Sequence, residues 1–147
     1  MKIYQAKKIE TIKEIGEMLH AQLEPEIGQD LEYVVEDFIH FWKDNKEGII
    51  YVMKDGEEFL GTIGGFPISN VYNKKDKQVL ISFFYVPPIH RNKKSKVSLK
   101  LYNLFEKWCV NRKIIAASST KTAKNFYRKR GFKEIETTWL KGLNKNV

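Results

Sequence analysis

Cysteine is almost missing from this 147-residue chain. Its single thiol, Cys109, cannot close an internal disulfide, which suits a reducing compartment. Its place in an apolar helical stripe predicts plain packing rather than thiol chemistry. No His/Cys cluster has metal-ligand spacing, so no metal is expected. Long apolar runs are missing too. The longest, near Val79–Val86, is far too short to cross a bilayer, and the stretch from Met1 to Lys8 lacks the apolar core of a signal peptide. The expectation is a cytoplasmic protein with no membrane partner. Repeats, low-complexity tracts and linkers are also lacking, and the length fits one domain, residues 1–147, able to bury a core without a staple.

Hydrophobic and aromatic residues, at 42% and 13% of the chain, exclude wholesale disorder. The net charge of +8 is unevenly spread. Residues 1–70 hold 7 Lys/Arg against 14 Asp/Glu, and residues 71–147 hold 19 against 4. An evenly basic nucleic-acid binder would not look like this. The polarity suggests an anionic ligand on one side and a cationic one on the other, set against the plainer reading of a solvated, lysine-rich surface.

Lys2–Ala6 reads as a first strand. A helix over Ile9–Leu23 follows, with Ile12, Ile15, Leu19 and Leu23 on one face, and Pro25 and Gly28 are expected to break it. Asp30 is a candidate N-cap for a second helix carrying Leu31, Val34, Val35, Phe38, Phe41 and Trp42. The period then changes to that of strands. Gly48–Met53 and Phe59–Ile68 flank a turn at Lys54–Glu57, the second strand weakened by Gly61, Gly64 and Gly65. A polar turn at Asn70–Lys77 leads to an apolar strand, Gln78–Val86, stopped by Pro87-Pro88. Val97, Leu101, Leu104, Phe105 and Trp108 mark a long helix. A short strand at Lys113–Ser118, a helix at Thr122–Arg130 ended by Gly131 at C′, and a strand at Phe132–Leu143 complete the order.

A strand that turns tightly into a long helix is a natural anion site, because the helix start presents unpaired N–H groups and the positive end of its dipole. Here the junction also bears Arg91, Lys93, Lys94, Lys96 and Lys100. The sequence therefore points to a phosphate-bearing ligand at residues 91–96.

Val86-Pro87-Pro88-Ile89-His90-Arg91 on that junction, and Ala123, Tyr127, Gly131 and Phe132 farther on, resemble the two signature motifs of the GCN5-related N-acetyltransferase (GNAT) family. The resemblance covers nearly the whole chain. It implies an α/β (α+β) fold: a central, mixed but mostly antiparallel sheet flanked by helices, with a V-shaped splay between the strands at Gln78–Val86 and Lys113–Ser118. The chain departs from the family at several positions. Lys94 and Lys96 stand where the family has small residues, glycine there allowing close approach and unusual φ/ψ. Lysine can donate the same backbone N–H bonds where φ stays negative. The loop either holds coenzyme A with side-chain help or is degenerate. Thr120 stands where an Asn is frequent, and residues 79–86 contain no carboxylate to act as a base.

The resemblance implies acetyl transfer from acetyl-CoA to an amine acceptor, small or protein-borne. Backbone N–H groups near Phe84–Val86 would hold the pantetheine and polarise the thioester carbonyl. Arg91, Asn92, Lys93, Lys94, Ser95 and Lys96 would grip the pyrophosphate, with Lys93 or Lys100 reaching the ribose phosphate. Tyr127 would protonate the leaving thiolate, unless it is a core aromatic beside Phe126. Ser82 or Tyr85 could relay the acceptor's proton through water. Glu36 and His40, at i and i+4 on the second helix, form another candidate pair on the acceptor side, although a histidine beside Phe41 and Trp42 is more often packed or exposed. His90 is expected to contact phosphate. Two other readings compete: a nucleic-acid-directed protein using the basic half, and an interaction module whose cofactor site has decayed.

Overall fold

A computed structural model describes residues 1–27, 31–44, 46–68, 78–91, 94, 96–111, 115–118 and 124–132. In chain order the elements are β1 (Lys2–Gln5), α1 (Ile9–Ile27), α2 (Leu31–Asp44), β2 (Ile49–Asp55), β3 (Glu58–Ile68), β4 (Gln78–Tyr85), a 3-10 turn (Pro88–His90), α3 (Val97–Asn111), β5 (Ile115–Ser118) and α4 (Lys124–Lys129). The expected turn at 70–77, the Asp30 cap and the last strand beyond Phe132 lie outside the described residues.

The strands form one sheet in the order β1-β2-β3-β4-β5. The first four pair antiparallel, and β5 joins β4 in parallel. This is the mixed, mostly antiparallel α/β sheet expected from the sequence. The β2–β3 hairpin turns at Gly56, whose φ of 61° fits a two-residue hairpin turn with a left-handed first position.

Alternation along the strands sorts side chains onto two faces. Ile49, Met53, Leu60, Ile63, Val79 and Ile81 meet Val97, Leu101, Tyr102, Phe105, Trp108 and Cys109 of α3. Ile50, Val52, Phe59 and Phe66 meet Ile12 and Ile15 of α1 on the opposite face, with Phe38, Ile39 and Trp42 of α2 packed alongside. Cys109 is thus a buried core residue, as its stripe position suggests. Lys54 of β2 adds a polar tie, its Nζ lying 2.7 Å from the Glu14 carboxylate of α1.

Two expectations change. Helix α1 runs past Pro25 to Ile27 rather than breaking there. A proline withholds its N–H and crowds the preceding turn, and the helix ends within two residues of it. The glycines of β3 are not simply a weakness. A Cβ on Gly65 would stand 2.5 Å from the Phe105 ring, and one on Gly64 would collide with the Phe83 ring. Their lack of a side chain lets large rings from α3 and β4 lie directly on the strand.

Candidate active site

The pairing of β4 with β5 covers Gln78–Ile81 against Ile115–Ser118 and goes no farther among the described residues. Strand β4 nevertheless continues to Tyr85, held on its other edge by β3 as far as Thr62↔Tyr85. The Ser82–Tyr85 stretch therefore extends past the described β4–β5 pairing, and the splay that the family resemblance implies between these strands lies outside the described residues. Inside this stretch the β3–β4 register slips: Gly65 pairs with Ile81 but Gly64 pairs with Phe83. Ser82 is the extra residue of a β-bulge. The bulge reverses the alternation, so Ile81 and Phe84 lie toward α3 while Phe83 turns toward α2 and α1. There the Phe83 ring meets Phe38 at 5.3 Å and Phe66 at 6.4 Å. Ser82 is exposed, with its hydroxyl 3.4 Å from the Leu80 carbonyl.

The strand then enters the basic junction. The His90 N–H donates to the Pro87 carbonyl at 2.8 Å and the Arg91 N–H to that of Pro88 at 3.2 Å, closing the 3-10 turn. The Arg91 side chain folds back on the strand. Its Nε donates to the Val86 carbonyl at 2.7 Å, and its guanidinium carbon lies 5.7 Å from the centroid of the half-buried Tyr85 ring. His90, expected at phosphate, instead sets Nε2 3.0 Å from the Glu58 carboxylate at the start of β3. Asn92, Lys93 and Ser95 fall outside the described residues; Lys94 and Lys96 are exposed.

Lys94 and Lys96 differ in backbone. Among the described residues Lys96 is the one non-glycine with positive φ, at 51°. The condition of a negative φ thus holds at Lys94 and fails at Lys96, which takes the left-handed shape open to glycine at moderate cost to other residues. The Lys96 carbonyl accepts the Lys100 N–H at 3.0 Å, which makes Lys96 the N-cap of α3. The N–H groups from Lys96 to Leu99 then have no partner within the helix.

Tyr127 lies on α4, 7% exposed, in the same apolar cluster as Ile81 and Val86, which flank Ser82–Tyr85. Its position is fixed from behind. Gly131, at φ 87°, sends its N–H to the Arg128 carbonyl at 3.2 Å, and the Phe132 N–H reaches the Tyr127 carbonyl at 3.1 Å. These are the two bonds of a Schellman cap. The Phe132 ring stands edge-on to Tyr127 at 5.0 Å and to Tyr102 of α3 at 6.1 Å. Arg130 covers the other ring of that set, 5.4 Å from the Tyr102 centroid. Burial above all, then the Glu106 carboxylate 3.4 Å from its hydroxyl, push the Tyr102 phenol well above the usual tyrosine range.

Glu36 and His40 are both exposed on α2. Each is two residues from Phe38, which touches β4. At about 100° per residue they lie on the face turned away from the sheet, so the structure does not bring them to the Ser82–Tyr85 edge. Sequence reasoning missed Glu58, Tyr102 and Arg130 as partners of the site, because none carries a motif and each acts across elements far apart in the chain. It also missed the bulge; the adjacent Gly64-Gly65 opposite it was the one local sign. Among the described residues no group of His, Cys, Asp and Glu is placed to hold a metal, and no helix is long and apolar enough to cross a membrane.

The family model described as the acetyltransferase (GNAT) family matches residues 14–132. The chain belongs to that family. Among solved structures it is similar to a predicted acetyltransferase from Clostridium acetobutylicum, solved with acetyl-CoA, at 18% identity and TM-score 0.71, covering 97% of this chain and 95% of the other. Glucosamine-6-phosphate N-acetyltransferase from Arabidopsis thaliana aligns with 17% identity and TM-score 0.72 over 97% and 98% of the two chains. An aminoglycoside 6'-N-acetyltransferase from Acinetobacter haemolyticus gives 16% identity and TM-score 0.71 over 98% and 99%. Identities this low carry the fold and not the substrate. A comparison with curated proteins finds no significant match.

Proposed function

We propose that this protein is an acetyl-CoA-dependent N-acetyltransferase, a single acyltransferase domain over residues 1–147 working in the cytoplasm. One observation carries the reading. Strand β4, which runs on to Tyr85 past its described pairing with β5, leads through the 3-10 turn to a helix start whose N-cap, Lys96, keeps a left-handed backbone although it is not glycine. A decayed loop would have no reason to hold a residue there against its own preference.

Acetyl-CoA, when bound, supplies an acyl thioester open to attack by an amine. The backbone of Phe84–Val86 offers groups to hold the pantetheine amides, as an added strand would be held, and N–H groups to polarise the thioester carbonyl. The α3 start, with Lys94 and Lys96 beside Asn92, Lys93 and Ser95, offers N–H groups and positive charge to the pyrophosphate. The Tyr127 phenol gives a proton to the departing thiolate, an acid matched to a weaker base than itself. Ser82, exposed at the bulge, and Tyr85 serve as the water-bridged route for the acceptor's proton. The acceptor is an amine, and the acidic first half of the chain favours a cationic one; two of the similar solved enzymes are named for amine-bearing sugars and antibiotics.

Calorimetric titration tests the reading. Acetyl-CoA should bind and raise the melting temperature by mass action on the native state. No binding at millimolar ligand would remove the proposal and leave the interaction module. Salt-sensitive binding to nucleic acid in its place would favour the nucleic-acid reading.

A further inference from the structure

The geometry points to Arg91 as a positioning residue that braces the phosphate loop against β4, rather than a ligand of the phosphates. The proposal rests on the acetyl-CoA reading for its binding arm, but not for its structural arm.

The brace has two contacts, both with the strand that the loop leaves. Nε of Arg91 gives a short bond, 2.7 Å, to the Val86 carbonyl. The guanidinium lies over Tyr85, 5.7 Å from its centroid. These partners precede Arg91 by five and six residues, so the side chain spans the whole 3-10 turn and ties its exit to its entrance. His90, the neighbouring residue, ties the same turn to β3 through Glu58 at 3.0 Å. The turn is thus pinned on two sides before the chain reaches Lys96.

That pinning has a use. A left-handed lysine is strained and persists only where its surroundings fix it. Where glycines line such a loop, the backbone adopts the shape without help. Here the shape has to be imposed, and among the described residues Arg91 and His90 tie down the turn that precedes it. A planar guanidinium can donate from Nε while stacking on a ring, and lysine can do neither in the same way, although it carries the same charge. Charge and bracing can therefore be separated by one substitution.

The experiment compares Arg91→Lys and Arg91→Ala with the unmodified protein. Affinity is measured for acetyl-CoA and for phosphate-free acetyl-pantetheine, and amide exchange at His90 and Arg91 is followed without ligand. A brace of the phosphate loop predicts that both substitutions weaken acetyl-CoA by a similar factor, about tenfold, the scale of one charged hydrogen bond, and leave acetyl-pantetheine, which does not reach the loop, little changed; equal losses for both ligands would overturn it. It also predicts that lysine does not rescue, that the salt dependence of acetyl-CoA binding is unchanged, and that the two amides exchange faster. A loss of acetyl-CoA affinity that lysine restores, with weaker salt dependence in Arg91→Ala, would make Arg91 a phosphate ligand and overturn the proposal. Unchanged amide exchange would overturn it as well. If the unmodified protein binds neither ligand, the acetyl-CoA reading fails, and the exchange measurement still decides the brace.

Discussion

Two helix ends in this molecule each depend on a left-handed residue, and they are built in opposite ways. After α4 that residue is Gly131, at φ 87°; before α3 it is Lys96, at φ 51°. The first end is self-sufficient: glycine reaches the left-handed region without strain, two backbone bonds close the cap, and Phe132 seats it on Tyr127 and Tyr102. The second puts a lysine in a shape that suits glycine better, after a turn that Arg91 ties to β4 and His90 ties to β3. One end secures a core residue, Tyr127, by a closed backbone cap and one apolar ring. The other trades conformational ease for a positive charge at a helix start. A site that must hold a polyanion gains from that trade; a cap that only has to stop a helix does not.

The largest effect should come from the residue that the glycine cap secures. Tyr127→Phe keeps the ring and its edge-on contact with Phe132, so folding and acetyl-CoA affinity should stay close to those of the unmodified protein. Turnover should fall by about 10²-fold, the scale of one general acid, with kcat reduced and KM little changed. Steady-state kinetics with an urea-unfolding control checks this. Full activity would make Tyr127 a core aromatic only. A loss of several kcal/mol in stability would mark its hydroxyl as a structural hydrogen bond instead.

A smaller effect tests the cap itself. A Cβ on Gly131 would meet nothing within 4 Å, so Gly131→Ala introduces no clash. The cost is that of the backbone alone, about 1–2 kcal/mol, or a few degrees in melting temperature. Because Phe132 bonds the Tyr127 carbonyl, the same substitution should also reduce kcat more than it changes acetyl-CoA affinity. Thermal unfolding without loss would mean that the cap relaxes into another conformation.

The two ends also differ in how far they were legible. Gly131 after a short helical pattern is a standard stop signal, and Tyr127 and Phe132 could be read at their spacing from it. Helix α3 was equally plain, since Val97, Leu101, Phe105 and Trp108 repeat at the helical period. The strands came through as alternation, and the hairpin through Gly56. Lys96 gave no such sign, because lysine is compatible with many conformations and nothing local demands a positive φ. The partners that hold the loop were hidden for a related reason: Glu58 lies more than thirty residues before His90 in the chain, and only the folded sheet brings them together. The bulge at Ser82 was invisible because a register slip is a property of two strands and not of one. Pro25 misled for the opposite reason, a strong local rule overruled by its place in a last turn.

The finest test sets Lys94 against Lys96, neighbours in one loop with the same side chain and different backbones. Replacing either by Ala or by Gly removes one positive charge, so within each pair the electrostatic loss is the same and any difference reports the backbone. At Lys96, with φ 51°, glycine relieves strain that alanine keeps. Lys96→Gly should be more stable than Lys96→Ala by about 1 kcal/mol. At Lys94, outside the left-handed region, glycine only adds freedom to the unfolded chain, and Lys94→Ala should be the more stable by about 0.4–1 kcal/mol. The order of stability should therefore invert between the two positions, which urea unfolding of the four variants would resolve. Acetyl-CoA affinity should follow the same inversion, because a loop that holds its shape unaided presents its N–H groups without first being ordered. Alanine more stable than glycine at both positions would show that Lys96 does not need the left-handed conformation in solution. The contrast between the two helix ends would then collapse into a difference of sequence alone.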